Sequence, residues 1–460
     1  MTYTTLQTVF RPLIQITSIL GMAPHKSVQG TLINTKTGGG FQIAFKITIC
    51  VISLVVYFRD FYLEAQFGTF GNITLVRFVV TFRNTAITTL MVIILLSCLS
   101  SAKKIHLELT KIEQIDTDLA KMGQEITLSN RNCENRKSAI VLTWVIVLFA
   151  VIQAIYPYAF HIQTNYKQIF NVILNFYPRL VVGVRNIFFC LLLMVIKTRF
   201  NIINTILKNE IHLSKKSSKS NCNFYKKIKT LVDVHKTMVV VTEEVNSIFS
   251  LELLLWISIT FVLLLVDVYS ITHIVWFNLE ENYALILKLL HNCVMYVFDL
   301  FLISITCARV CREANCTKSL VVGIKIGVDN EDDRDLVIAS ALKLLQNPLE
   351  ITAFQLFTID NSLLFSICGV ACSYLFIMLQ MDINEEEKKQ SEMISVTTVQ
   401  QETPQAKASD DMENSDSEPK NALLQKEYPS KHTDGTRNEI YWSQRSHAQG
   451  RTQPHRYRAD

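Results

Sequence analysis

The sequence predicts an all-α membrane protein with seven transmembrane helices, a cytosolic amino terminus, an extracellular carboxyl terminus and helical extensions on the cytosolic side. Three observations carry this. Of 460 residues, 49% are hydrophobic and only 18% charged, where a soluble chain carries about a quarter. Apolar runs long enough to cross a bilayer recur along the chain. Lys and Arg also divide unequally: the segments expected on one side of the membrane hold 26 and those on the other hold 2, which is the positive-inside asymmetry.

Residues 1–40 form a cytosolic segment. It opens with an amphipathic run over 6–22, too polar to span, which predicts a helix at the inner interface; the glycines at 38–40 make a flexible approach to the membrane. No cleavable signal peptide is evident. The membrane domain covers 41–381, with spans at 41–58, 75–96, 139–160, 172–196, 251–277, 283–307 and a last one ending at Met381. Asn72-Ile73-Thr74 is a glycosylation acceptor that this topology places outside. Arg77 and Arg83 are expected to face a solvated vestibule. In the loop after the second span, Ile105, Leu109, Ile112, Ile115 and Leu119 recur at helical spacing, so that span extends below the membrane. Apolar periodicity likewise continues the fourth span past 197 and leads into the fifth from Phe224. Residues 382–460 are low in hydrophobicity and predict a disordered extracellular tail.

The last hydrophobic segment, 351–381, organises the rest. Its part 363–379 carries no charge, and small residues, Gly369, Ala371, Cys372 and Ser373, permit close helix approach. Ser366, Ser373 and Gln380 are seven apart and so share one helical face. Such a stripe suits a protein seam, a water-filled path or hydrogen bonds to bundle neighbours, but not lipid.

Some functions are excluded by absence of their motifs. HExxH, a Walker-type glycine loop and GxSxG do not occur, so no catalysis is expected. The 11 cysteines show no framework or ligand spacing, so neither metal nor cofactor is expected. Nothing points to nucleic acid. The inside amino terminus, and the lack of DRY and NPxxY, argue against a G-protein-coupled receptor. A secondary transporter would show internal repeats and paired broken helices, and none is visible.

One stretch carries a family resemblance. Ser373-Tyr374-Leu375-Phe376-Ile377-Met378-Leu379-Gln380-Met381 resembles the final-helix pattern Thr-Tyr, apolar residues, Gln-Phe of the insect gustatory receptors. Upstream, Ala353-Phe354-Gln355-Leu356-Phe357-Thr358-Ile359-Asp360 is similar to that family's Ala-x-Gly-Phe-Phe-x-Leu-Asp, with Leu363-Leu364 and Ser366-Ile367 in register. Three positions depart: Ser373 replaces Thr, Met381 replaces Phe and Gln355 replaces Gly. The 79 residues after Met381 are a fourth departure.

The resemblance implies a taste receptor acting as a ligand-gated non-selective cation channel. It would sit in the plasma membrane of sensory neurons as a homo- or hetero-tetramer with seventh helices around one pore, and an external small-molecule tastant would open it. An odorant receptor is the nearest rival. The resemblance puts Ser373, Tyr374, Ile377, Gln380 and Met381 at the pore and gate. Candidates for an outward pocket are the intramembrane polar and aromatic residues Arg83, Trp144, Tyr156, Arg179, Asp267, Tyr269, His291, Tyr296 and Asp299. Asp267 and Asp299 each require a donor there, with His291 or Lys288 expected to supply one.

Overall fold

The computed structural model describes residues 6–20, 22, 25–28, 31–34, 48, 51–52, 55, 72–160, 166–216, 222–277, 283–322 and 348–401. Apart from 48, 51–52 and 55, the expected first span at 41–58 lies outside the described residues, as does the tail from 402 onward. So do the side chains of Asn72, Arg77 and Tyr156. Helix α1 covers Leu6–Ile19, and a hairpin pairs β1, His25–Val28, with β2, Thr31–Asn34. Helix α2 covers Asn72–Leu119 and α3 Glu125–Phe160, joined by one π-helical turn at Ala120–Gln124. Then come α4, Tyr166–Lys216, α5, Cys222–Phe277, and α6, Tyr283–Val322. A two-residue hairpin, β3 at Thr352–Ala353 and β4 at Phe357–Thr358, leads into α7, Asn361–Gln401.

Five stretches among the described residues are long and apolar enough to cross a membrane. One runs over 82–149, through α2, the π turn and α3, and so holds both the second and the third expected spans. The turn between them is possible because Gly123 sits at φ 80°, a left-handed backbone that glycine adopts without cost. The extension of α2 is helical as its periodicity predicts, with Ile112, Ile115 and Leu119 buried.

Helix α4 is the centre. Its apolar stretch is 83% buried, against 6% for α7, and it packs on α2, α3, α5 and α6. Helices in lipid gain little from hydrophobic exclusion, so this core is held by close packing and by polar pairs. At the end rich in Lys and Arg those pairs are dense. Arg199 of α4 grips Asp116 of α2 through two bonds of 2.9 and 2.7 Å. Asn204 donates to the Glu313 carbonyl at 2.8 Å and accepts from Thr317 at 2.6 Å. His235 of α5 meets the Ala314 carbonyl at 3.0 Å. Asn315 closes a reciprocal pair with the backbone of Leu349, both bonds 3.1 Å.

Two expectations are corrected here. α1 does not lie apart on the inner surface. Leu6, Val9, Phe10 and Leu13 are buried against α3 and α4. Phe10 meets Phe188 at 5.9 Å between centroids, and Tyr177 donates to the Leu20 carbonyl at 2.9 Å. An apolar stripe is satisfied by protein as well as by lipid, and here α1 stands beside the fourth span. The second concerns residues 382–401, expected to begin a disordered tail: they continue α7, because the Asn-Glu-Glu-Glu-Lys-Lys-Gln run is built of residues that mostly favour helix, while the apolar stretch itself ends at Asn384. The chain divides into units 1–389 and 390–460, and of the second only 390–401 is described, all helical.

The entry to α7 is specific. Asp360 caps it: Oδ1 accepts from the Ser362 hydroxyl at 2.6 Å, the Ser362 amide at 2.9 Å and the Leu363 amide at 3.3 Å. The Ser362 hydroxyl bond, followed by these amides, holds the Asp360 carboxyl below its ordinary range. That contribution is present at neutral pH and is lost as pH falls through the depressed value. The preceding hairpin is strained, with Phe354 at φ 48° and Gln355 at φ 59°. Position 355 is where the family pattern has glycine, and an L side chain there costs about 1–2 kcal/mol. Gln355→Gly is therefore expected to raise stability by about 1 kcal/mol, read as a higher melting temperature of the detergent-solubilised protein. An unchanged or lower value would show that the turn is not strained.

Candidate functional site

Away from the basic end, four helices converge on one intramembrane polar cluster. Arg83 of α2 pairs with Asp267 of α5 at 2.7 Å, both fully buried. Arg179 of α4 donates to Asn292 of α6 at 3.1 Å. Arg179 and Lys288 add further positive charge around the same carboxylate. His291 rests on the Phe149 ring at 5.6 Å, and Tyr296 is buried beside Arg83, Arg179 and Asp267. The spacing explains the convergence: Lys288, Asn292 and Tyr296 lie four residues apart on one face of α6, with His291 three residues from Lys288 beside it. Among the described residues, Arg83 Nε, His291 Nε2 and Tyr296 Oη have no hydrogen-bond partner. Three cations thus surround one carboxylate, with ring nitrogen, guanidinium and phenol still able to bond. The arrangement suits a small molecule rich in acceptor oxygens.

Arg83 is therefore not a vestibule residue, and Asp267 draws its donor from α2 and not from His291. Asp299 is buried, and its Oδ1 has no partner among the described residues. Trp144 points away, 69% exposed on the outer side of α3. Tyr156 lies on α3 with its side chain outside the described set.

The gate candidates lie together on α7. Ser373, Tyr374, Ile377, Gln380 and Met381 are all exposed in the single chain, Met381 by 66%. Ser366 and Ser373 bond back to the carbonyls of Ser362 and Gly369, leaving the stripe with Gln380 turned outward. Tyr269, placed among the pocket candidates, reaches α7: its hydroxyl contacts Asp382 Oδ2 at 2.7 Å and Oδ1 at 2.9 Å. Asp382 directly follows Met381. Tyr269 is two residues from Asp267, so one turn of α5 touches both the cluster and α7 just past the gate candidates.

One network was missed in the sequence. Arg185 of α4 makes two bonds of 2.8 Å to Glu252 of α5, and Ser97 of α2 donates to the same carboxylate. The guanidinium also stacks over Phe249 at 4.2 Å. Arg185 was visible as an intramembrane charge. Glu252, two residues into its span, gave the signal that could have paired it.

Comparison with known proteins then decides the family. The sequence profile described as "7tm Chemosensory receptor" matches residues 10–385. The chain belongs to this family of insect chemosensory receptors. The receptor is 27% identical over 160 residues to the putative gustatory receptor 28a of Drosophila melanogaster; the match spans 33% of this chain and 35% of that one, about a third of the relative's length. Its fold matches the olfactory receptor OR5 of Machilis hrabei with TM-score 0.65 at 14% identity, covering 82% of this chain and 98% of that one. The same OR5 in complex with eugenol matches with TM-score 0.61 at 13% identity, with the same coverage. The receptor is thus an all-α multi-pass membrane protein of the insect chemoreceptor fold, and it belongs to a receptor class and not to an enzyme class.

The buried pair makes a quantitative prediction. Arg83→Met alone strands the Asp267 carboxylate and is expected to cost about 3–5 kcal/mol, whereas Arg83→Met with Asp267→Leu restores most of it. Melting temperatures of wild type, both single variants and the double variant check this; additive losses would mean the two residues do not act as a pair.

Proposed function

We propose that the receptor is a subunit of a ligand-gated, non-selective cation channel, opened by an external small molecule and assembled as a tetramer with α7 around the pore. One observation carries this reading. The apolar stretch of α7 is only 6% buried by its own chain, yet it displays an aligned polar stripe that lipid does not suit. Such a helix is built to face copies of itself across a wet seam. Ile377 and Met381 then form an apolar constriction that closes by dewetting, with Gln380 beside it.

The cluster around Arg83, Asp267 and Tyr296 is the proposed ligand pocket. Its excess of donors favours ligands bearing hydroxyl, carbonyl or carboxylate oxygens. Tyr269 and Asp382 link it to the gate. The fold likeness to OR5 over most of both chains favours an odorant-receptor-like subunit. The stretch from Ser373 to Met381 and the shorter similarity to a putative gustatory receptor support a taste role. OR5 has been solved with eugenol, which fits a small-molecule ligand for either role. The plasma membrane of sensory neurons is the proposed location.

Whole-cell recording from cells expressing the receptor, across sugars, bitter compounds and odorants, tests this. A ligand-evoked cation current is expected. Gln380→Ala should alter its permeation, and Tyr269→Phe should shift the half-maximal ligand concentration about tenfold or more, the scale of one charge-assisted hydrogen bond. Ligand uptake without current would overturn the channel reading in favour of a transporter.

Topology has its own test. Seven spans with the amino terminus inside put Asn72 outside. A glycosidase-sensitive mass shift that disappears in Asn72→Gln is expected; an unglycosylated Asn72 alongside a glycosylated engineered site on the basic loops would invert the orientation.

A further inference from the structure

Where α3, α4 and α6 leave their apolar stretches at the basic end, they enclose an open cavity of about 240 Å³. Each helix contributes a cation to its lining: Arg131 from α3, Lys197 from α4 and Arg309 from α6. The lining holds one carboxylate, Glu134, and Arg131 already occupies it at 3.0 Å. Among the described residues neither Lys197 nor Arg309 has an acidic partner. This contrasts with Arg83, Arg185 and Arg199, each seated on a carboxylate of another helix. The lining between the cations is polar: Asn135 donates to Thr198 at 3.0 Å, tying α3 to α4 in the cavity wall.

The height of the cavity is informative. Ser138 directly precedes the third span, Lys197 directly follows the fourth, and Arg309 stands two residues past the sixth. Three span boundaries drawn from separate parts of the sequence therefore meet at this one cavity, which sets it at the level of lipid headgroups. Further into the bilayer, Val141 is exposed on α3 about one turn from Ser138, and Phe301 on α6 about two turns from Arg309, offering apolar surface on the membrane side of the cations. A guanidinium and an ammonium with no internal counter-charge, flanked by amide and hydroxyl groups, match a multiply charged phosphate. A basic pocket between transmembrane helices is a recurrent headgroup site.

We propose that this cavity binds a phosphate monoester borne by the headgroup of a lipid in the leaflet on the basic side. The site is separate from the pocket and the gate and does not depend on channel activity.

Full-length receptor purified in detergent is titrated, by native mass spectrometry, with dioleoyl phosphatidylinositol 4,5-bisphosphate, with soluble inositol 1,4,5-trisphosphate and with dioleoyl phosphatidylcholine. Saturable binding of the bisphosphate lipid, and not of phosphatidylcholine, is expected. Lys197→Gln with Arg309→Gln should weaken it about tenfold or more, whereas Lys197→Arg should retain it. Lys226→Gln with Lys229→Gln, two exposed cations elsewhere on α5, should leave it unchanged. Trisphosphate binding with the same dependence on Lys197 and Arg309 would support the site and assign recognition to the phosphates alone; lipid-only binding would support it with the membrane as source. Undiminished lipid binding by the Lys197/Arg309 double variant, or an equal loss in the Lys226/Lys229 variant, would overturn the proposal.

Discussion

Arg185 on the central helix and Glu252 on its neighbour state the constraint under which this fold is built. A charge placed among apolar helices must find its opposite on a different helix, at hydrogen-bonding distance. Ser97 adds a third helix to the same carboxylate, so α2, α4 and α5 have one rotational register in common. Moving any of the three about its axis would strand a charge where the penalty is several kcal/mol. The same logic repeats at two other heights, with Arg199 on Asp116 and Arg83 on Asp267. Packing fills the space between these pairs, but apolar side chains in lipid tolerate many rotations. Pairs of this kind select one.

Much of the helical plan was legible from periodicity and hydropathy. Six of the seven expected spans lie on described helices, and the extension of α2 past the membrane follows from its apolar residues at 105–119. The partners inside the bundle were not legible. Asp267 stood out as a costly charge, yet its mate lies 184 residues away, and no local pattern encodes which faces of two distant helices meet. The same limit misplaced α1, whose amphipathic stripe is equally suited to a membrane surface and to a protein groove. The substitution of Gln for glycine at 355 was visible in the sequence, but its meaning required the backbone angle. Met381 looked like an end because hydrophobicity ends there; helicity does not, since charged residues favour helix as readily as apolar ones.

The two ends of the bundle are stabilised differently. At the basic end, side chains of Asn204, His235 and Asn315 bond to main-chain groups of other segments. These bonds fix backbone to backbone through short linkers and leave little freedom. At the other end the contacts run mostly from side chain to side chain, between long residues such as Arg83, Arg179 and Tyr269, as Arg199 and Asp116 also do at the basic end. Both ends retain unfilled polar atoms among the described residues, His235 Nδ1 at one and Arg83 Nε at the other.

Helix α7 touches its own chain near its start and again about midway along. At its start, Ser304 of α6 donates to the Asp360 carbonyl and the side chains of Leu363 and Leu364 rest on the core. Well along it, Tyr269 of α5 holds Asp382. Between these points it behaves like a beam on two supports, and the supports belong to different helices. A slide of α5 past α6 would not push the beam sideways; it would carry one support relative to the other, tilting or twisting the span between them. The exposed residues along that span would then all move by amounts set by their distance from the two ends.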